Sequence, residues 1–171
     1  MDSRILGLIA TVMECCEGQR PRGPGHPPAA MVRVLATLRR FLREGTPWRS
    51  LTASTAEASG ATLRRCLARW AETGLLAQVH ALLVGMLRGH PDLILDSCSV
   101  RAKRGGDLTG PNPTDRAKRG TKYHIAVDGG GVPVACVVTA ANVNDTQVFE
   151  RLFLAAFAVM ARIRTVFADK G

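Results

Sequence analysis

The spacing of apolar residues changes at Pro91, and this change constrains the fold more than any other feature of the chain. Before Pro91 apolar residues recur every three or four positions, as in amphipathic helices. After it they alternate or form short β-branched runs, as in strands. A chain of 171 residues has room for two small domains. We therefore expect an α+β chain, with a helical domain over residues 1–90 and a mixed domain over residues 91–171.

The first part contains four segments with a helical pattern and one shorter helical turn. They are residues 3–15, 29–44, 61–72 and 75–87, with the turn at 48–51. The second helix has a single apolar stripe, formed by Met31, Leu35, Leu38 and Leu42. Gly45 is expected to cap its C-terminal end. Residues 18–28 hold four prolines and are predicted to be a linker.

The second part predicts a small sheet. The expected strands are residues 93–100, 122–128, 132–141 and 165–168, with a helix over residues 147–163 and an irregular basic excursion over residues 101–121. Three consecutive strands are expected to be antiparallel. The helix is a crossover connection, which allows the last strand to pair parallel to the first.

The net charge of +9 is unevenly distributed. Counting charged residues gives +5 for residues 21–50 and +4 for residues 96–124, while the remaining segments sum to zero. A localised excess of this kind indicates a polyanionic partner, most often nucleic acid. The alternative is a basic surface that serves solubility alone.

Cysteine usage and hydropathy bear on location. The five cysteines form no CxxC pair, which is typical of a reducing cytoplasm and predicts thiols that pack as small buried apolar groups. The longest uncharged run, residues 73–87, is shorter than the roughly 18–20 apolar residues that a membrane-spanning helix needs. We therefore expect a cytoplasmic protein with no membrane partner.

Two aspartates follow predicted buried strands. Asp96 follows the apolar residues 93–95, and Asp169 follows residues 166–168. If these strands are neighbours, the carboxylates converge, and a close pair repels itself unless it is protonated or bridged by a divalent cation. Oxygen ligands favour Mg²⁺ or Mn²⁺. The alternative is that each aspartate is an ordinary strand-end or turn residue.

The sequence itself resembles a known family. The stretch LDSCSVRAKRGGDLTGPNPTDRAKRGTKYHIAVDGGGVPVACVVTAANVNDTQVFERLF, followed by FADKG, resembles the catalytic core of bacterial insertion-sequence transposases of the DDE, RNase H-like type. The segments REGTPWRSL and LRRCLARWAETGLL resemble the helical domain that precedes that core.

This resemblance implies metal-dependent DNA cleavage and strand transfer at insertion-sequence ends. It implies that Asp96 and Asp169 are the first two catalytic acids and that they bind Mg²⁺ or Mn²⁺. The third acid of the family is a Glu on a downstream helix, which we expect to lie beyond residue 171. The second domain is then a truncated RNase H-like core that needs the missing part for activity.

The resemblance also implies DNA as the partner, both as transposon terminal repeats and as target DNA. Candidate phosphate contacts after the first strand are Arg101, Lys103, Arg104, Arg116, Lys118, Arg119 and Lys122. In a helix-turn-helix arrangement the basic helix 61–72 would add Arg64, Arg65 and Arg69. The alternatives are a solvated loop and an ordinary exposed helix face.

Several states of the protein remain open from sequence. The chain can join a second reading-frame product, self-associate, be a remnant of a longer gene, or occupy transposon ends as a regulator without catalysis.

Four further residues are given structural roles. His124 is expected to be a hydrogen-bonded structural histidine and Asp145 a helix N-cap, with site roles as the alternatives. Asp128 is assigned to the hairpin turn. Trp48 and Trp70 are expected to anchor the core.

Overall fold

The computed structural model describes residues 3–17, 27–87, 89–160 and 162–169. They divide into two compact units, Met1–His80 and Ala81–Gly171. Helices dominate the first and a mixed sheet the second, which confirms the α+β prediction. Most of the predicted linker at residues 18–28 lies outside the described residues. No helix in the described ranges is long and apolar enough to cross a membrane.

The helical elements fall close to where the sequence predicts them. They are α1 (Ser3–Glu17), α2 (Met31–Glu44), a 3-10 turn (Trp48–Ser50), α3 (Gly60–Glu72) and α4 (Leu75–Met86). Ser59 is the N-cap of α3, since its side chain accepts a hydrogen bond from the backbone N–H of Thr62. Gly45 ends α2 in the left-handed conformation, with φ 61°, as predicted.

The core of the first unit is built around Trp70, which is completely buried. Its indole N–H donates to Glu17 Oε1 at 3.2 Å, so the polar edge of the ring is satisfied. Trp70 is therefore the anchor that the sequence predicts. Trp48 is not: its side chain is 36% exposed, and its ring stacks on Phe41 with the centroids 4.1 Å apart.

The buried face of α2 includes Met31 and Leu35 of the predicted stripe but is rotated towards Val34 and Thr37. Leu42, at the end of the predicted stripe, is 70% exposed. Thr37 Oγ1 accepts the backbone N–H of Ala58 at 2.8 Å and also lies 2.9 Å from the Ala58 carbonyl oxygen. These contacts hold a polar side chain inside, which an apolar pattern cannot reveal.

The second unit is a five-stranded mixed sheet with one crossover helix. Its elements are β1 (Asp92–Arg101), β2 (Gly110–Pro111), β3 (Arg119–Asp128), β4 (Pro133–Ala140), α5 (Asp145–Phe157) and β5 (Thr165–Ala168). β1 lies between antiparallel β3 and parallel β5. β2 and β4 pair with successive parts of the far edge of β3. The predicted hairpin and parallel last strand are confirmed.

Two elements differ from the sequence prediction. α5 ends at Phe157 rather than at residue 163, because Val159, Met160 and Ile163 pack against the sheet core instead of continuing the helix. The two-residue strand β2 lies in the excursion that was expected to be irregular. It is too short to produce any periodic signal.

α5 covers one face of the sheet and leaves the other open. Val148, Leu152 and Ala156 of α5 belong to the same buried cluster as Leu93 and Leu95 of β1. Side chains alternate between faces along a strand, so Ile94, between Leu93 and Leu95, points away from α5. Ile94 is 41% exposed, and its partner Phe167 on β5 is 52% exposed.

Most of the cysteines do not pack as predicted. Cys66 is buried in the first unit, but Cys15, Cys98 and Cys136 are exposed. In the strand register Cys98 lies opposite Tyr123, and Cys136 lies opposite Ile125. Both cysteines are on the sheet face away from α5. All five are free thiols.

Candidate active site

The register of the parallel pair β1–β5 brings the two predicted acids to one place. Leu95 of β1 pairs with Ala168, the last residue of β5. Asp96 and Asp169 directly follow this pair in the sequence. Both aspartates line an open cleft of about 530 Å³.

The two aspartates contribute carboxylate oxygens to this cleft. Asp96 is exposed, and its Oδ1 accepts a hydrogen bond from the backbone N–H of Ser97 at 2.7 Å. No group of three or more His, Cys, Asp or Glu side chains in the described residues is close enough to hold a metal ion. The pair Asp96 and Asp169 therefore offers a partial, all-oxygen ligand set, which fits Mg²⁺ or Mn²⁺ better than zinc.

A second group of polar side chains meets at the start of α5. His124 is 2% exposed, with Nδ1 2.8 Å from Asp145 Oδ1 and Nε2 2.8 Å from Thr139 Oγ1. Lys122 Nζ donates to Asp145 Oδ2 at 2.9 Å. We call Lys122, His124, Thr139 and Asp145 the Asp145 cluster. Ser97, His124 and Asp145 line the same cleft as Asp96.

The charges of the cluster follow from burial and contact. Burial raises the pKa of Asp145, but hydrogen bonds from Lys122 and Ser97 and the charges of Lys122 and His124 outweigh it, so that the pKa is lowered. Burial lowers the pKa of His124, against the opposing effect of Asp145. At neutral pH the cluster therefore combines an ionised Asp145 with a largely neutral imidazole.

The structure tests the roles that the sequence predicts for Asp145, His124 and Asp128. Asn144, not Asp145, is the N-cap of α5, because its Oδ1 accepts the backbone N–H of Thr146 at 3.0 Å. His124 is a hydrogen-bonded buried histidine, as expected, and in addition lines the cleft. Asp128 closes the β3–β4 hairpin as expected, with Oδ1 accepting the N–H groups of Gly130 and Val132.

Most of the second unit matches a known protein family. Residues 87–171 match the family described as the transposase DDE domain. These residues belong to that family. The matched range contains the sheet, the cleft and both aspartates.

Two curated proteins from Burkholderia cepacia are similar to this chain. The putative transposase for insertion sequence element IS402 is 40% identical over 95 residues, which cover 49% of this chain and 45% of that protein. The insertion element IS402 uncharacterized 16.2 kDa protein is 29% identical over 118 residues, which cover 66% of this chain and 80% of that protein. The match thus spans less than half the length of the first relative. No solved structure matches the chain.

The DDE domain displays most of its basic candidates on one loop. We call residues 101–119, which connect β1 to β3, the basic loop. Its cationic side chains are all exposed: Arg101, Lys103, Arg104, Arg116, Lys118 and Arg119. Arg101 forms a two-contact ion pair with Asp115 inside the loop.

The basic loop has a defined backbone. The backbone N–H of buried Asn112 donates to the carbonyl of Lys118 at 2.9 Å, and the N–H of Ala117 donates to the Asn112 carbonyl at 3.0 Å. Arg116 and Ala117 have positive φ angles of 50° and 55°, a conformation that non-glycine residues rarely adopt. The loop therefore holds Arg116 and Lys118 outward at the cost of local strain.

The remaining basic candidates have different surroundings. Lys122 is largely buried and belongs to the Asp145 cluster. Arg64 and Arg65 are exposed on α3, whereas Arg69 Nη2 lies 2.9 Å from Glu17 Oε1. Three of the ten candidates, Arg69, Arg101 and Lys122, thus form ion pairs within their own unit. The DNA contacts of all ten stay predictions.

Proposed function

We propose that the chain acts in DNA transposition, as part of a transposase that cleaves DNA at insertion-sequence ends and joins it to target DNA. The observation that carries the proposal is that Asp96 and Asp169 each follow the paired residues Leu95 and Ala168 of two parallel strands and line the same cleft. The similarity of the chain to a putative insertion-sequence transposase supports the same reaction.

In this proposal Asp96 and Asp169 hold the divalent cation. When bound, Mg²⁺ or Mn²⁺ supplies the Lewis acidity that phosphodiester cleavage requires. The chain itself supplies two carboxylates, one of them held by the N–H of Ser97, and an open cleft at the edge of β1. A third acidic group from outside these residues completes the ligand set, and the sheet is the partial core of an RNase H-like fold.

The basic residues bind the DNA. The basic loop follows directly after the strand that carries Asp96, so that phosphates bound by the loop lie near the cleft. Arg64 and Arg65 on α3 add contacts to the terminal repeat in a helix-turn-helix manner. Assembly on paired ends, by self-association or with a second reading-frame product, brings two such sites together.

The test is end cleavage by the protein expressed from its complete insertion element. Asp96→Asn removes a charge from the cleft and is expected to abolish Mg²⁺-dependent cleavage of terminal-repeat DNA while DNA binding persists. Asp107→Asn, the same change at an exposed aspartate of the basic loop, serves as the control and should cut like the wild type.

Two outcomes would count against the proposal. Full cleavage by the Asp96→Asn protein would exclude the assigned role of Asp96. Specific binding of the ends without cleavage by the wild-type protein would instead support the second class of function, a regulator that occupies transposon ends.

A further inference from the structure

The larger of the two charge excesses, the +5 of residues 21–50, is not used by the proposed function. Four of its arginines lie on α2, and three of them share the helix face opposite the buried one, at helical spacing from Ala36. This face forms one side of a groove of about 410 Å³, which we call the α2 groove. Its lining residues are Ala36, Arg39, Arg40, Arg43, Glu44 and Glu57.

Arg40 engages both carboxylates of the α2 groove. Its Nε donates to Glu44 Oε2 at 3.1 Å, and its Nη1 donates to Glu57 Oε2 at 2.9 Å. The backbone of Glu57 is fixed as well, because Arg33 Nη2 donates to its carbonyl oxygen at 3.1 Å. The acidic side chains of the groove are therefore held on Arg40.

Arg39 and Arg43 keep their charges for a ligand. Neither guanidinium forms an ion pair with any residue in the described ranges. The two side chains stand one helical turn apart, with Cβ atoms about 5–6 Å from each other. Ala36 is the one apolar residue among those lining the groove, and its short side chain leaves room for close approach to the helix. Guanidinium groups bind phosphate oxygens through two parallel hydrogen bonds, so the groove fits a phosphate backbone better than an apolar protein surface.

We propose that the α2 groove is a DNA-binding surface of the helical unit, in which Arg39 and Arg43 bind backbone phosphates. The inference rests on the proposed function, since that function supplies DNA as the polyanion. Phosphate contacts fix the position of a protein on the duplex without reading its bases. The groove therefore adds affinity and orientation for any duplex, separately from the contacts proposed for α3.

The test is binding of the 171-residue chain to fluorescein-labelled terminal-repeat DNA and to a scrambled duplex, each over a range of salt concentrations. The double variant Arg39→Ala/Arg43→Ala should lower the slope of log affinity against log salt by about two on both duplexes, one for each lost phosphate contact. Ala36→Glu, which puts a carboxylate into the groove, should lower the slope as well. Arg39→Lys/Arg43→Lys retains both charges and should keep the wild-type slope. Arg49→Ala is the matched control, because Arg49 is an exposed arginine of the same charged segment outside the groove, and its slope should not change.

An unchanged slope in the double alanine variant would overturn the inference and leave the proposed function intact, as would an equal fall in Arg49→Ala. Failure of the wild type to bind either duplex would instead overturn the proposed function. Competition then identifies the ligand of the groove. Sodium phosphate should displace no more DNA than sodium chloride of equal ionic strength. Stronger displacement by phosphate would show a site for one free anion, and tighter wild-type binding to an RNA duplex would assign the groove to RNA; either result would overturn the assignment to DNA.

Discussion

At the scale of single residues, protonation near the cleft couples to stability. His124 is 2% exposed, and burial lowers the pKa of its imidazole below the unfolded value of about 6.5. The unfolded chain therefore binds more protons than the folded one as the pH falls below that value. The lowered pKa of Asp145 acts in the same direction at more acidic pH, below its unfolded value of about 3.9. Both groups make the fold less stable toward acid.

His124→Gln should remove part of this dependence. Gln cannot take up the proton, so the free energy of unfolding of the variant should fall less between pH 7 and pH 5 than that of the wild type. The measurement is urea denaturation at several pH values, and it compares how steeply the free energy of unfolding of each protein changes with pH. The same pH dependence in the two proteins would contradict the assigned role of His124.

The catalytic candidates could be predicted from sequence, whereas their surroundings could not. Asp96 and Asp169 each follow an apolar run, which is a local pattern. The contact of Asp145 with His124 and Lys122 depends on how α5 docks on β3, and these residues are more than 20 positions apart in the chain. Asn144 stands directly before Asp145 and is an equally good N-cap by sequence, so only the structure separates the two.

At the scale of elements, the start of α3 depends on a close backbone approach. A Cβ on Gly60 would lie 2.0 Å from the Trp48 carbonyl oxygen. Gly60→Ala is therefore expected to destabilise the chain by about 1–3 kcal/mol, as overpacking does, although alanine is the better helix former.

Gly85 of α4 is the matched control for this prediction. A Cβ there meets nothing within 4 Å, so Gly85→Ala should stabilise the chain by about 0.5–1 kcal/mol through backbone entropy alone. Thermal or urea unfolding of the two variants measures both effects. A stabilising Gly60→Ala would show that the Trp48 contact is absent in solution.

The basic loop makes a prediction about DNA affinity. Replacing Arg116 and Lys118 by Ala should weaken binding to any DNA sequence and lower the slope of log affinity against log salt by about one per lost phosphate contact. Arg151, an exposed cation on α5 outside the loop, is the control, and Arg151→Ala should leave the slope unchanged. Equal slopes for the wild type and the loop variant would exclude phosphate contacts there.

Element positions were predictable where one local pattern dominates. The strand over residues 165–168 is found as predicted, because a short apolar run lies between charged residues. The end of α5 was predicted six residues too late. Residues 158–163 continue the apolar pattern, but the chain must turn back there so that Arg164 N–H can donate to the Pro91 carbonyl at 2.7 Å and align β5 with β1. This tertiary requirement overrides the local pattern.

At the scale of the whole molecule, the order of elements along the chain determines which strands meet. Apart from the two-residue β2, three strands precede the crossover helix α5 and one follows it, an order that leads to parallel β1 and β5. This pairing brings Asp96 and Asp169 to the same end of the two strands. What could not be predicted is that both aspartates share one cleft with His124 and the start of α5. Among the described residues, Ile94 and Phe167 lie on the face opposite α5 and stay exposed.

The central claim is that Asp96 and Asp169 together hold a divalent cation, and backbone cleavage by bound Fe²⁺ tests it most directly. Iron substituted for Mg²⁺ generates hydroxyl radicals that cut the nearest peptide bonds once ascorbate and peroxide are added. We expect the protein backbone to be cut next to residues 96 and 169. Excess Mg²⁺ should prevent both cuts, and both should be lost in Asp96→Asn. Cuts elsewhere, or the same two cuts in Asp96→Asn, would contradict the central claim.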